Sequence, residues 1–377
     1  MATKSVMIVA GEASGDLHGA NLIRRCRERG DNVFFFGIGG ANMRNAGAKI
    51  IVDAGNLSVV GITEILVRLP SILSGMGAAK RALASGVPDL LILIDFPDFN
   101  LRLAAAARKH GVPVFYYITP QVWAWRKGRI RKIKKRVDHA AVILPFEADF
   151  FRQHGVPVTF VGHPLLDAGY EKLPAPAVKE HECVVGLLPG SRQKEIMRHL
   201  PVMLSAAAEM AEQKPGIRFL VSSAASVAPE IVRTITATYQ DRVTVEIIAG
   251  SVVNVFRKST LVVAVSGTVA VEAALYMTPM IVIYRVSWLS YWLARMLVDI
   301  DHISLVNLVA ERRVIPELIQ SDVTAGNIAA TALGMINDEG RMAAVKAALG
   351  EVRQRLGGPG ASDRAAAIAA RMLRGEE

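Results

Sequence analysis

Short apolar runs of strand length alternate with amphipathic, helix-like segments along most of this 377-residue chain. Runs such as Leu90–Ile94 and Leu261–Val265 contain no polar residue and are only five residues long. That length is typical of buried strands and short for helices. Since a segment with apolar residues at helical spacing follows nearly every run, the pattern predicts right-handed crossovers and parallel sheets covered by helices on both faces. The fold class is therefore α/β.

The alternation occurs twice and is interrupted once, by a proline-rich polar stretch that is typical of a linker. We predict a Rossmann-like domain at 1–172, a linker at 173–182, and a second Rossmann-like domain with a helical tail at 183–377. The length suits two domains with separate cores. We expect the two halves to face each other across a cleft.

Composition excludes some classes of protein and points to an anionic partner. The longest apolar runs are strand-sized, so no transmembrane helix is predicted, and the start of the chain is too poor in apolar residues for a signal peptide. The two cysteines, Cys26 and Cys183, lack neighbours at metal-ligand spacing and are predicted to be core thiols. The net charge of +10 favours a nucleic acid, an acidic lipid surface or a phosphorylated substrate.

Two strand-to-helix turns in the second half are candidate phosphate sites. Residues 189–191 form a Pro-Gly-Ser turn followed by Arg192, and residues 266–268 form a Ser-Gly-Thr turn before a helical segment. Anions bind where a strand ends and a helix begins. The alternative for the first turn is an ordinary connection with a solvated Arg192. Glu272, one turn into the second helix, is predicted either to accept hydrogen bonds from ribose hydroxyls or only to favour the helix dipole.

Carboxylates mark two strand ends in the first half. Asp95 directly follows Leu90–Ile94 beside apolar residues, where a raised pKa and general-base catalysis can arise. The sequence GEASGD at 11–16 is interpreted as a loop whose carboxylates, Glu12 and Asp16, bind a hydroxylated substrate. The alternative is a helix start with Ser14 and Asp16 as capping residues.

A basic run at 126–136 follows Trp123 and Trp125. Aromatic rings beside such a run are typical of single-stranded nucleic-acid binding, and equally of docking on an anionic membrane. The third interpretation is that the basic run forms only the solvent-exposed face of a helix. Upstream, residues 62–73 are more apolar than one buried helix face requires, which is consistent with an acyl-chain contact or, more simply, with a buried helix.

Seven motifs together resemble the lipid-A-disaccharide synthase family. They are GEASGD at 11–16, IDFPDFN at 94–100, TPQVWAWR at 119–126, GHPL at 162–165, LLPGSRQKE at 187–195, SGTVAVE at 266–272 and SLVNL at 304–308. The last of them is predicted to form a short loop. The resemblance implies a GT-B glycosyltransferase, and it implies inverting transfer of 2,3-diacylglucosamine from its UDP derivative to 2,3-diacylglucosamine 1-phosphate. It further implies no cofactor, cytoplasmic and peripheral placement on the inner face of the inner membrane, and no nucleic-acid partner, and it is compatible with a homodimer. No metal is predicted, because the chain has no Asp-X-Asp pair at a strand end.

The resemblance also implies roles for individual residues. Asp95 matches the family's general base, and Arg192 matches the arginine that stabilises the diphosphate leaving group. The donor would be bound by Ser266, Gly267, Thr268, Glu272 and Asn307. Glu12 is a weaker candidate on the acceptor side. Two rival readings remain, a UDP-sugar epimerase of the same fold and a non-catalytic nucleic-acid binder.

Overall fold

The chain forms two compact units. The computed structural model describes residues 3–57, 62–86, 88–124, 128–168, 182–286 and 301–376. The first unit comprises Met1–Ala168 and Leu356–Glu377, and the second comprises Gly169–Arg355. The predicted linker at 173–182 lies outside the described residues except for Glu182.

Seven parallel strands form the sheet of the first unit. They are β1 (Lys4–Ala10), β2 (Val33–Gly39), β3 (Lys49–Asp53), β4 (Leu90–Ile94), β5 (Val114–Tyr117), β6 (His139–Val142) and β7 (Val158–Phe160). Their order is β3-β2-β1-β4-β5-β6-β7. The order reverses direction between β1 and β4, which is the switch point where doubly wound sheets bind ligands.

Between β1 and β7, six described α-helices cover the two faces of this sheet. They are α1 (Ala13–Glu28), α2 (Ala41–Asn45), α3 (Ile62–Gly86), α4 (Pro97–Lys109), α5 (Arg129–Arg136) and α6 (Pro145–Gln153). Helices α3 to α6 pack on one face, and α1 and α2 pack on the other. Within the described residues, no helix combines the length and the hydrophobicity needed to cross a bilayer.

The second unit repeats this plan with six parallel strands. They are β8 (Val184–Leu188), β9 (Arg218–Ser223), β10 (Val245–Ala249), β11 (Leu261–Val265), β12 (Met280–Tyr284) and β13 (Glu317–Ile319), in the order β10-β9-β8-β11-β12-β13. Its described helices are α7 (Gln193–Gln213), α8 (Pro229–Ala237), α9 (Val253–Lys258), α10 (Thr268–Leu275), α11 (Leu305–Ala310), α12 (Ala325–Ile336) and α13 (Glu339–Arg355). The switch point lies between β8 and β11. The two Rossmann-like, parallel-sheet domains of the predicted fold class are confirmed.

The last helix, α14 (Ala361–Arg374), belongs to the first unit and not to the carboxy-terminal domain in which we expected the whole tail. Its buried face, including Ala365 and Ile368, joins the core formed by α1 and β4. The carboxylate of Asp167 caps its first turn by accepting hydrogen bonds from three consecutive backbone amides, at 360, 361 and 362, over 2.7 to 2.9 Å. Apolar burial and this cap hold the tail on the first sheet.

Sequence patterns missed two edge strands and misassigned one segment. Strands β3 and β13 are short and only half-buried, so neither has the fully buried apolar run that marks the central strands. Residues 304–308, predicted as a loop, instead begin helix α11, whose N-cap is Ser304. The Ser304 hydroxyl accepts a hydrogen bond from the amide of Val306 over 3.2 Å.

Candidate active site

The predicted site segments follow the two strands that flank the switch point of each sheet. In the first unit, residues 11–16 follow β1 and Asp95 follows β4. In the second unit, residues 189–192 follow β8 and residues 266–268 follow β11. Within each unit, the fold therefore brings its two predicted segments to the edge at which open α/β sheets bind ligands.

Asp95 has a left-handed backbone conformation that its surroundings hold in place. Its φ is 45°, and that of Phe96 is 49°, although L residues rarely adopt such values because of steric repulsion. The backbone carbonyl of Asp95 accepts hydrogen bonds from the Tyr116 hydroxyl at 2.7 Å and from Nδ2 of Asn100 at 2.6 Å. Its amide donates to the carbonyl of Ile118 at 3.1 Å. These bonds fix the backbone without using the carboxylate.

The Asp95 carboxyl has the electrostatic environment of a general base. Burial, and to a lesser extent the negative charge of Glu12, raise its pKa to about 6. Glu12 itself is exposed. The loop passes close to the Asp95 turn, because a Cβ placed on Gly11 would lie 2.3 Å from the ring of Phe96. Asp95 and Glu12 were predicted as separate candidates, and in the structure they lie close enough to interact electrostatically.

Asp16 has a structural role that was not predicted from the sequence. It is 4% exposed, and its carboxylate accepts hydrogen bonds from the amides of Gly40, Asn42 and Met43 over 2.6 to 3.1 Å. These amides belong to the first turn of α2, so Asp16 caps α2 and not its own helix. A carboxylate committed in this way does not bind substrate, and Glu12 is the one acidic residue of the loop that remains available.

Arg192 lies at the N-cap position of α7 with its side chain 55% exposed. Its guanidinium contacts Oε1 of Glu195 at 3.1 Å, and Oε2 of Glu195 accepts a hydrogen bond from the Ser191 amide at 3.0 Å. The turn needs its glycine, since Gly190 has a φ of 117°. Arg192 and the start of α7 together form a positively polarised surface.

The turn at 266–268 exposes backbone at the start of α10. Gly267 and Thr268 are exposed, and a Cβ on Gly267 would meet no atom within 4 Å. Its φ of 164° is extended, so neither packing nor conformation requires glycine there. Ser266 is less available, because its hydroxyl donates to the carbonyl of Ile303 at 3.4 Å. One turn further, burial raises the pKa of the half-buried Glu272 carboxyl.

Asn307 is fully buried, and its amide is committed to the protein. Oδ1 accepts hydrogen bonds from the amides of Val314 and Ile315, and Nδ2 donates to the Ile315 carbonyl and to the Glu317 carboxylate. An amide side chain has no further hydrogen-bonding capacity. We expected Asn307 to bind the UDP-sugar donor. The structure corrects this prediction, because the side chain of Asn307 instead holds the neighbouring loop in place. Glu317, which the sequence reading missed, also accepts from the amides of Ile303 and Ser304.

A second buried carboxyl, Glu147, was also missed. It accepts hydrogen bonds from the indole of Trp123 at 2.9 Å and from the amides of Ile143 and Leu144. Burial raises its pKa to about 7. The Leu-Pro-Phe-Glu sequence that starts α6 is a recognisable helix start, but nothing in it signals the tie to Trp123. Residues 125–127 lie outside the described residues.

Comparison with known proteins decides the family. A protein-family model described as Lipid-A-disaccharide synthetase matches residues 6–372. The chain belongs to the lipid-A-disaccharide synthase family. A lipid-A-disaccharide synthase of Syntrophus aciditrophicus is 46% identical over 380 residues, with 99% of each chain covered. One from Geobacter metallireducens is 44% identical, with 98% of this chain and 97% of the relative covered. Membership confirms the resemblance seen in the motifs and the assignment as a glycosyltransferase.

Solved structures show that the fold of this lipid-A-disaccharide synthase family member is shared more widely. A putative UDP-N-acetylglucosamine 2-epimerase from Listeria monocytogenes aligns with a TM-score of 0.70 at 14% identity, covering 100% of this chain and 98% of that one. MurG from Acinetobacter baumannii aligns with a TM-score of 0.61 at 14% identity, with 98% and 99% covered. At such identities the likeness concerns fold alone. The sequence relatives therefore favour the synthase over the epimerase alternative.

Proposed function

We propose that this chain transfers 2,3-diacylglucosamine from its UDP derivative to the 6-hydroxyl of 2,3-diacylglucosamine 1-phosphate, with inversion at the anomeric carbon. The observation that carries the proposal is the Asp95 carboxyl, held at a switch point with a pKa raised to about 6. A carboxyl with that pKa is largely ionised at neutral pH and still a stronger base than an ordinary aspartate.

In the proposed reaction, the acceptor oxygen attacks the anomeric carbon while its proton passes to the Asp95 carboxylate. The bond between the anomeric carbon and the β-phosphate oxygen breaks, and UDP leaves with the electron pair. Because Tyr116 and Asn100 bind the backbone carbonyl of Asp95 and not its carboxylate, the base remains available to the acceptor. Glu12 is proposed to lie on the acceptor side, where its charge helps to raise the pKa of Asp95.

The second unit is proposed to bind the UDP moiety. Negative charge grows on the β-phosphate as the bond breaks, and cations and helix N-termini stabilise such charge. Arg192 at the start of α7 and the exposed backbone of Gly267 and Thr268 at the start of α10 supply both. Ser266 contributes its place in the turn, and Glu272, half-buried one turn into α10, is proposed to accept from the ribose hydroxyls.

Docking on an anionic membrane surface, on the cytoplasmic face of the inner membrane, is part of the proposal because both substrates carry acyl chains. Helix α5 exposes Arg131, Lys132, Lys134 and Lys135, while Ile130 and Ile133 are buried. Such a cationic face attracts anionic lipid headgroups. On α3, Leu69 and Leu73 are 43% and 57% exposed and are proposed to contact acyl chains. The side chains at 62–68 lie outside the described residues. A homodimer is not needed for this proposal.

The direct test is to incubate the purified chain with both glucosamine lipids in detergent micelles and to weigh the products by mass spectrometry. The proposal expects an acylated disaccharide monophosphate and one UDP per disaccharide, with and without EDTA. If the product were a 2-epimerised UDP-sugar, the chain would be an epimerase and not a transferase. Salt-sensitive binding of single-stranded nucleic acid without any turnover would favour the nucleic-acid reading.

A further inference from the structure

The residues that follow β12 lie at the same edge as the turn at 266–268. The amide of Ser266 donates a hydrogen bond to the carbonyl of Ile283 over 3.0 Å, which joins the ends of β11 and β12. Arg285 comes two residues after Ile283 and is exposed. Its position in the chain thus places a cation next to the segment proposed to bind the donor diphosphate.

A buried histidine of α7 holds the backbone of Arg285. His199 is 2% exposed, and its Nε2 accepts a hydrogen bond from the Arg285 amide at 3.2 Å. Because a backbone N–H can only donate, Nε2 carries no proton, and Nδ1 donates to the carbonyl of Glu195 at 2.9 Å. Burial lowers the pKa of His199, which keeps the ring neutral at neutral pH. The neutral ring bridges the first turn of α7 and the end of β12.

Three more side-chain hydrogen bonds fix the same short segment. Nη1 of Arg198 donates to the Arg285 carbonyl at 3.3 Å. The amide side chain of Gln320 accepts from the Val286 amide at 2.8 Å and donates to the Val286 carbonyl at 3.4 Å. Two consecutive residues are therefore held through both their N–H and their C=O groups.

Among the described residues, no acidic side chain forms an ion pair with Arg285. The guanidinium of Arg192 forms an ion pair with the carboxylate of Glu195 at 3.1 Å. Burial and the negative charge of Glu195 raise the pKa of the Tyr284 phenol, and the positive charges of Arg192 and Arg198 partly offset this rise. These three charged side chains therefore lie near the end of β12. Arg285 forms no ion pair with a described acidic residue. An exposed guanidinium that has no ion pair among the described residues, and whose backbone is held by these hydrogen bonds, is well suited to bind a diphosphate.

We propose that Arg285 is a second cation for the diphosphate of the donor, and that His199 is the positioning residue that holds Arg285 in place. This inference rests on the proposed function, because it assumes that the second unit binds a nucleoside diphosphate. Arg285 would share the leaving-group charge with Arg192, and His199 would act through the Arg285 backbone without touching the ligand.

Isothermal titration with UDP and with uridine tests the role of Arg285. We expect Arg285→Ala to weaken UDP binding by about 10-fold or more and to leave uridine binding unchanged, since only UDP carries the diphosphate. Arg233→Ala, which removes another exposed positive charge of the second unit, is the control and should leave both affinities unchanged. Equal UDP affinity of the wild type and Arg285→Ala would overturn the proposal. If the wild type itself bound no UDP, the proposed function would fail instead.

A double-mutant cycle tests the role of His199. His199→Gln keeps an acceptor for the Arg285 amide, whereas His199→Phe keeps a ring and removes the acceptor. We expect the Phe variant to weaken UDP binding and the Gln variant to restore much of it. In the Arg285→Ala background, His199→Phe should cause no further loss of UDP affinity. Fully additive losses, or a loss in uridine affinity equal to that for UDP, would mean that His199 supports the fold and does not act through Arg285.

Discussion

The hydroxyl of Tyr116 donates a hydrogen bond of 2.7 Å to the backbone carbonyl of Asp95 and not to its carboxylate. Tyr116 is fully buried, so the bond is shielded from water and holds a left-handed conformation with a φ of 45°. Because strained backbone persists only where its surroundings determine it, this arrangement suits a residue whose carboxylate must point in one direction.

Replacing Asp95 by Asn should separate catalysis from binding. The amide keeps the size of the side chain but cannot accept the acceptor proton, so we expect turnover to fall by at least about 100-fold. UDP affinity, measured by titration calorimetry, should not change, since Asp95 is proposed to act on the acceptor. Turnover equal to that of the wild type would remove Asp95 from the mechanism.

The pH dependence of kcat/KM should report the ionisation of Asp95. A general base must be deprotonated, so activity should rise with pH through about 6 and level off above it. Glu12 raises the pKa of Asp95 by its negative charge. Glu12→Gln should therefore move the rising limb to lower pH, while burial keeps the midpoint above that of an ordinary aspartate. A limb that moved to higher pH, or stayed in place, would contradict the coupling.

Gly11→Ala and Gly267→Ala form a matched pair with opposite expectations. A Cβ at Gly11 would lie 2.3 Å from the Phe96 ring, whereas one at Gly267 would meet no protein atom within 4 Å. Gly11→Ala should therefore lower both the thermal stability and kcat, because Phe96 must move and Asp95 with it. Gly267→Ala should leave the melting temperature unchanged and weaken UDP binding by about 10-fold, since the methyl group occupies space proposed for the ligand. Melting curves and UDP titration of both variants check this, and reversed outcomes would refute it.

Strands buried on both faces were predictable from the sequence, and much of the local detail was not. Strand β4 and strand β11 are continuous apolar runs, and both were predicted with the bounds that the structure shows. The left-handed conformation of Asp95 has no sequence signal, because no glycine marks it. The environment of Asn307 was missed because its partners come from residues 314–317, a contact that no local pattern reveals. Local periodicity thus predicts elements, whereas the hydrogen-bond partners of a side chain depend on the folded chain.

Glu147 should make stability depend on pH. Its pKa is raised from 4.5 to about 7 in the folded protein, so between these values the folded state binds the proton that the unfolded state has lost. The free energy of unfolding of the wild type should therefore fall by up to roughly 3 kcal/mol as pH rises from about 4.5 to 8. Glu147→Gln should not show this fall. Urea denaturation at pH 5 and pH 8 tests it, with the exposed Glu230→Gln as control. Parallel behaviour of wild type and Glu147→Gln would refute the assignment.

Neutralising the exposed cations of α5 should weaken binding to anionic membranes. Arg129 belongs to the basic run but is excluded from the set, because it is 6% exposed and bound to Asp98 at 2.6 Å. The residues to be replaced by Gln are Arg131, Lys132, Lys134 and Lys135. Each charge near the surface is worth about 1 kcal/mol, so the loss should reach several kcal/mol at low salt and shrink as salt is added.

Cosedimentation with vesicles that contain phosphatidylglycerol measures this loss, and neutral phosphatidylcholine vesicles give the baseline. A variant of equal net charge separates the local effect from the total charge. It replaces four scattered exposed cations, Lys109, Arg152, Arg233 and Lys346. If the scattered variant lost as much binding as the α5 variant, attraction would depend on the overall charge of +10. A loss confined to the α5 variant would assign the docking surface to that helix, because only a local cluster of cations can engage several headgroups at once.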